Sequence, residues 1–541
     1  MNIKSIILLT ALTIISIHAM FAQSRQIPDP VIPFNTSRTE IFGDDIFIND
    51  QPGQNQRNLA VCSAFNGWLY ASFGYFKQNK QWIDFYRSTD NGKTWNIFLT
   101  SQYLPTIIKI ELVTSGNTLE NLKLFTGIVY KDTVSGHCYV DLMVHNGVTG
   151  EGIASFWVDS YQIHDLALSS DYLFPAASSS PNSIAFLYTK TEYDLDYLVF
   201  CSSSDGGLSI DNTYTVATSQ KYLGKVDLSY GYSLSYNSGR YFAVWEEKEG
   251  PDSELGHIYT SHSDPNFNSP FTIPVCIDSL DASAINQCRN PVVACQYSDA
   301  DNDSANITQV VLFEKFNSSY QKYGVSGGYN LRAASNKHFK MLNVSASGNN
   351  ELQPDIAFNP YDSTFMATYF NSTTLKLPFV TKNFNMVNPG SWTIVSPGYN
   401  DNPNLAVPNP RVALNFEKRV GATVWSAERP GGNGASMFDA VYIYYTGTPG
   451  NDQTDSYGLF RVYPNPCSNQ VTITFELKKT GKVTIELFNL IGQPIEIITD
   501  QTYPAGRYEL KRDVTNLPAG NYLCTFKTDD FSSCGRILVI R

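Results

Sequence analysis

Short apolar runs separated by turn-rich polar segments organise most of this chain, and the pattern repeats. Each repeat opens on a short apolar strand, turns, returns along a second strand ending in an aromatic residue, and finishes in a more variable hairpin. The openings fall at Leu59, Ile107, His164, Lys225, Pro291, Pro354 and Pro410, so the intervals are 48, 57, 61, 66, 63 and 56 residues. Second strands begin at Trp68, Leu124, Ser183, Tyr241, Val310, Phe365 and Ala422. These lengths suit one four-stranded antiparallel sheet per repeat, arranged radially. A ring of sheets removes its open edges only by closing. Strand-like residues 40–48 are placed to complete the last sheet beside residues 441–445. The expectation is an all-β fold in which residues 23–447 form a seven-bladed β-propeller, with six blades as the alternative. The 33 Tyr and 32 Phe agree with a strand-rich chain. Residues 448–459 are polar and read as a linker. Residues 460–541 alternate apolar runs with Pro and Gly turns, which predicts a small C-terminal β-sandwich.

One turn in the first repeat is unusually well defined. Ser88, Asp90, Gly92, Thr94 and Trp95 lie between two strand-like runs. A carboxylate there accepts backbone N–H groups, a glycine takes positive φ, hydroxyls bond locally, and the indole anchors the returning strand. The series resembles the Asp-box, or BNR repeat, of sialidase-like β-propellers at every defined position. In that family the box is a structural hairpin remote from the binding face. A worn copy stands at Ser203, Asp205, Gly207, Ser209 and Ile210, with Ser for Thr and Ile for Trp.

The C-terminal blocks at residues 462–466, 471–475, 481–492, 503–508, 517–523 and 535–541 closely resemble, in order and wording, the type A sorting domain of the type IX secretion system (T9SS) of Bacteroidetes. That resemblance implies passage from periplasm across the outer membrane, with the secretion machinery and a sortase as partners. It also implies removal of the domain and attachment of the cargo to surface lipopolysaccharide. An ordinary adhesive or sugar-binding sandwich is the competing reading.

The amino terminus fits this route. Lys4, the apolar run 6–17 and a small residue at Ala22 read as a signal peptide spanning residues 1–22. No later segment is apolar enough to cross a membrane. The signal carries +1 and residues 460–541 carry +2, so the total of −12 leaves −15 on residues 23–459. Such an acidic body argues against nucleic acid or an anionic membrane as partner.

Nine cysteines in an exported chain can pair. A hairpin turning at residues 528–530 would set Cys524 opposite Cys534, and Cys276 with Cys288 could staple two repeats. Cys62 and Cys295 hold matching strand positions where a buried thiol is expected.

By the propeller resemblance, inner strands start at the ligand face. Arg57, Arg289 and Arg411 lie at or just before such starts, and a converging arginine cluster would bind a carboxylate by paired N–H bonds, as sialidases do. Bridging between neighbouring blades is the competing role. Glu246 and Glu314 end two second strands; facing one groove they would serve as acid and base in glycoside cleavage, and otherwise they are solvated loop acids. The chain departs from sialidases in lacking their Phe/Tyr-Arg-Ile-Pro motif: Gln26 interrupts it between Arg25 and Ile27. No Tyr/Glu nucleophile pair is assignable. Asp299, Asp301 and Asp303 alternate like the first ligands of a calcium loop, but Ser304 and Val310 replace its Gly and Glu, so a structural calcium competes with a solvated hairpin. No cofactor is required by any motif. The expected protein is an exported surface or extracellular propeller that binds a glycan or protein. A sialidase-like glycoside hydrolase and a non-catalytic structural surface protein are the alternatives.

Overall fold

In the computed structural model, the described residues run from Ile46 to Ile540, apart from 49–56, 78–79, 91, 93, 104–105, 159–161, 172–182, 234–237, 264–270, 282–284, 286, 299–306, 334–336, 346–347, 360–363, 385–391, 397, 401–407, 416–419, 429–435, 443–456, 464–466, 478–479, 490–492, 505 and 529–531. The expected signal peptide and the three aspartates of the expected calcium loop lie outside the described residues.

Four-stranded antiparallel sheets follow one another along the chain, the first built from Arg57–Ser63, Leu69–Lys77, Lys80–Ser88 and Asn96–Tyr103 in sequence order. Second strands are packed on both faces by neighbouring sheets, which explains why they read as nearly unbroken apolar runs. Every residue of Thr364–Asn371 is buried. An outer strand such as Asn212–Ser219 alternates half-buried and exposed positions instead.

Among the described residues, the first strands Arg57–Ser63, Thr106–Ser115, Gln162–Ser170, Tyr222–Ser233, Cys288–Cys295, Glu351–Asn359 and Arg411–Asn415 neighbour one another in that order, and the last returns to the first. The ring is closed by Ile46–Phe47, which pairs with Ser436–Tyr442 at Ala440 and Asp439. Radial antiparallel sheets around such a cycle are a β-propeller. One seam is tighter than the rest: Gly256 in the fourth repeat pairs with Cys288 in the fifth, merging two sheets into one.

The turn at Ser88 has the geometry its residues imply. Asp90 accepts from the Thr94 backbone N–H at 2.9 Å and its hydroxyl at 2.6 Å; Ser88 Oγ accepts from Gly92 N–H at 2.7 Å. Gly92 has φ 84°, and the Trp95 indole donates to its carbonyl at 3.0 Å. The worn copy keeps the same bonds: Ser209 donates through N–H and Oγ to Asp205 at 3.0 and 2.7 Å, and Gly207 N–H donates to Ser203 Oγ at 2.9 Å. Only the aromatic anchor is lost, since Ile210 is exposed.

Beyond the ring, a three-stranded sheet of Tyr457–Tyr463, Gln470–Leu477 and Gly506–Asp513 accompanies a four-stranded sheet in the order Pro494–Tyr503, Gly481–Asn489, Gly520–Lys527, Ser532–Val539. Alternate residues Val471, Ile473, Phe475 and Leu477 are buried in a core shared with Val483, Ile485, Leu487, Phe526 and Ile537. That is the period-two signature of a sandwich. Its first strand starts at Tyr457, inside the predicted linker.

Two disulfide expectations are corrected. Lys527 pairs with Ser532, leaving a four-residue connection where three were expected. The register therefore slips by one, Cys524 faces Gly535, and Cys534 faces Thr525. A one-residue slip moves a side chain to the opposite face of the sheet. Cys276 and Cys288 both carry thiols, and Cys276 Sγ donates to Asp278 Oδ1 at 3.1 Å.

Candidate functional site

Among the described residues, and apart from the parallel pairing of Tyr232 and Ser233 with Tyr297 and Ser298, first strands of neighbouring sheets are not joined by backbone ladders, so their edge N–H groups need other acceptors. The chain supplies them from acidic side chains at the strand openings. Asp165 accepts from Val226 N–H at 3.0 Å, Asp227 from Val293 N–H at 2.7 Å, and Asp355 from Val412 N–H at 2.7 Å. Each bond spans one junction of the ring.

A second set of junction bonds lies just before these. Glu246 accepts from Asn290 N–H at 3.0 Å, Glu314 from Gln353 N–H at 2.8 Å, and Gln353 Oε1 from Asn409 N–H at 2.9 Å. Asn290, Gln353 and Asn409 have φ of 52°, 55° and 43°, in the left-handed region that asparagine tolerates better than most side chains. Ladder register shifts accompany this feature between Arg289 and Val292 and between Leu352 and Asp355.

These bonds decide the fate of the predicted acid pair. Glu246 and Glu314 are each 1% exposed, and Asn290 joins them by donating its N–H to one and its amide to the other, the latter at 2.8 Å. They neither face a groove nor stand in solvent. They are consumed as backbone acceptors, and a Cβ on Gly224 would collide with the Glu246 carboxylate.

The arginine triad is corrected as well. Arg289 donates to Glu314 at 2.7 Å, pairs with Glu254, and lies 3.9 Å over the Tyr323 ring. Arg411 is the first residue of its strand, after the left-handed Asn409, and faces Glu111 and Asp355, each at 3.6 Å. The two arginines share no partner. Arg57 holds the register position of Arg289, opposite Gly74, and its side chain lies outside the described residues.

What does converge is a set of charges around Arg411. The channel encloses a cavity of about 250 Å³ lined by all the first strands, with Glu111, Asp227, Asp355 and Arg411 as its charged groups. Lys109 extends the network, 3.1 Å from Glu111 and 2.9 Å from Asp165. Burial pushes the Asp227 carboxyl up to about 7, with Glu111 and Asp355 adding to it. Burial also raises Asp355, to about 6, against the opposing pull of Arg411. Asp165 is held low despite burial, because Lys109 and Lys225 stand beside it. Arg411 has a buried Nε with no hydrogen-bond partner. Its two ion pairs are also longer than hydrogen bonds.

Sequence reasoning found Arg411 and missed the carboxylates around it. Their signal was present: Asp165, Asp227 and Asp355 are polar residues inside otherwise apolar strand openings.

Chain direction fixes which end of the ring this is. First strands begin at the Arg411 end, and third-to-fourth strand turns, including those at Asp90 and Asp205, fall at the opposite end.

Residues 461–540 match the family model of the secretion system C-terminal sorting domain. The domain marks the chain for export to the cell surface or extracellular space by the T9SS, whose machinery it engages. No curated protein matches the sequence. Among solved structures, the chain is similar to Penicillium chrysogenum alpha-L-arabinanase complexed with arabinobiose, at 15% identity and TM-score 0.38, over 74% of this chain and 98% of that one. A Dyadobacter fermentans protein of unknown function gives 10% identity and TM-score 0.39 over the same shares, 74% and 98%. The GH93 alpha-L-arabinofuranosidase of Fusarium graminearum with arabinobiose gives 12% identity and TM-score 0.37, again over 74% and 98%. No helix among the described residues is long and apolar enough to cross a membrane.

Proposed function

We propose that the chain is an exported propeller of seven blades that binds a hydroxyl-rich ligand, a glycan end or glycosylated surface, at the channel mouth around Arg411. The observation that carries this reading is the concave meeting of one guanidinium with three carboxylates, Glu111, Asp227 and Asp355. Alternating donors and acceptors in a concavity are what a polyol engages, and the open geometry of Arg411 leaves donors available. The cavity is smaller than the roughly 300–1,000 Å³ of drug-sized pockets, which favours a single sugar unit entering end-on. A glycan array probed with the mature ring tests this. Selective retention of a sugar class is expected; uniform lack of binding, with only protein partners recovered, overturns it.

A second reading rests on three carboxylates, Glu111, Asp227 and Asp355, lining the same cavity. Asp227, pushed up to about 7, can hold a proton near neutrality beside Glu111 and Asp355, which is the pairing an acid–base glycosidase needs. Turnover of fluorogenic glycosides that disappears in Asp227→Asn would favour it; no turnover across the panel would leave binding as the function.

A further inference from the structure

A second cluster lies away from the channel, at the seam between the fourth and fifth sheets. His257 belongs to the strand Gly256–His262, Cys276 to the short outer strand Val275–Cys276, and Asp278 to the turn that follows it. Cys276 pairs across to Tyr259, Ile277 N–H donates to the Ile258 carbonyl at 2.8 Å, and Ile258 N–H donates to Asp278 Oδ1 at 2.9 Å. These bonds leave little freedom in where the three side chains sit. His257 Nδ1 lies 2.9 Å from Asp278 Oδ2, and Cys276 Sγ lies 3.1 Å from Asp278 Oδ1 and 3.9 Å from His257 Nδ1.

We propose that His257, Cys276 and Asp278 form a binding site for a divalent transition-metal ion of the zinc class, with the fourth coordination position open to water.

Nitrogen, sulfur and oxygen donors are the set such ions prefer, and bond lengths of about 2.0–2.3 Å in a tetrahedron set neighbouring donors roughly 3.3–3.7 Å apart. His257 Nδ1 lies 2.9 Å from Asp278 Oδ2 and 3.9 Å from Cys276 Sγ, either side of that spacing, and one donor atom from each of the three residues lies within 4.8 Å of the others, so modest side-chain shifts seat an ion. Asp278 is fully buried while His257 and Cys276 are half-buried, which gives the ion a protein side and a solvent side. On binding, the thiol proton of Cys276 leaves to solvent and a thiolate–metal bond replaces the S–H···O contact to Asp278. The imidazole, metallated at Nδ1, carries its proton on Nε2. The ion would tie the outermost strand of the fourth sheet to its third strand, beside the seam at Gly256 and Cys288.

Cobalt(II) added to the metal-free, reduced full chain tests this. The expected result is a saturable thiolate-to-cobalt charge-transfer band with tetrahedral ligand-field absorption, and a raised unfolding temperature when zinc replaces cobalt. Cys276→Ser abolishes the charge-transfer band, whereas Cys138→Ser, at another half-buried thiol, keeps it. Absence of the band in folded wild-type protein overturns the proposal even if a variant fails to fold. A band that survives Cys276→Ser overturns it equally.

Discussion

Asp227 and Asp355 each have two roles: one oxygen accepts a neighbouring strand's N–H, and the side chain adds its charge to the channel. Their folded-state carboxyls, raised to about 7 and about 6, favour the protonated form more than an unfolded carboxyl does. Their contribution to stability is therefore fully present below the ordinary carboxylate value of about 3.9, and is lost as pH rises through about 6 to 7. Denaturant midpoints of wild type and Asp227→Asn, compared from about pH 4 to about pH 8, should differ in slope. Wild type should lose stability relative to the variant as pH rises; parallel curves would show that Asp227 does not titrate in this range. These residues were legible only in part. An acid within an apolar strand opening is visible in the sequence, but the backbone shift that turns it toward the channel is not. Hence Arg289 and Arg411 looked equivalent although Arg289 precedes the left-handed Asn290 and Arg411 follows the left-handed Asn409.

Between sheets, the unit of stability is the acceptor that the end of one second strand offers to the start of the next first strand. Glu314 accepts from Arg289, Asn290 and Gln353, and is buried. Glu314→Ala removes the buried partner of the Arg289 Nε–H and leaves two further donors unmet, and should cost about 3–5 kcal/mol. Glu254→Ala, which removes an exposed partner of the same arginine, should cost about 1 kcal/mol or less. Chemical denaturation of both variants checks the contrast, and equal small losses would contradict the junction role. Strand placement was readable because a second strand packed on both faces must be apolar throughout, as Thr364–Asn371 is. The Ser88 and Ser203 turns were readable because their side chains bond only within the turn. Register was not. The Cys524 hairpin shows why: one extra residue in the connection exchanges the faces, and composition does not count that residue.

At the scale of the molecule, two independent devices meet in one chain. The ring closes by pairing Ile46–Phe47 with Ser436–Tyr442, so a strand from before the first sheet completes the last. The terminal sandwich carries its own buried core and the sorting-domain match. Deleting residues 460–541 should strand the ring in the periplasm, read by fractionation and surface labelling; unchanged surface delivery would contradict the export route. Both devices were legible because each rests on many positions in register. The proposed ligand site was not, because it rests on four charges drawn from separate repeats and brought together only by the closed ring.

The central claim is that the channel mouth around Arg411 binds the ligand. Calorimetric titration of the best array sugar into the mature ring and its Arg411→Gln variant tests it most directly. Binding by wild type, weakened tenfold or more in the variant (about 1.4 kcal/mol), is the predicted result. Equal affinity in both, with the variant folded, would contradict it.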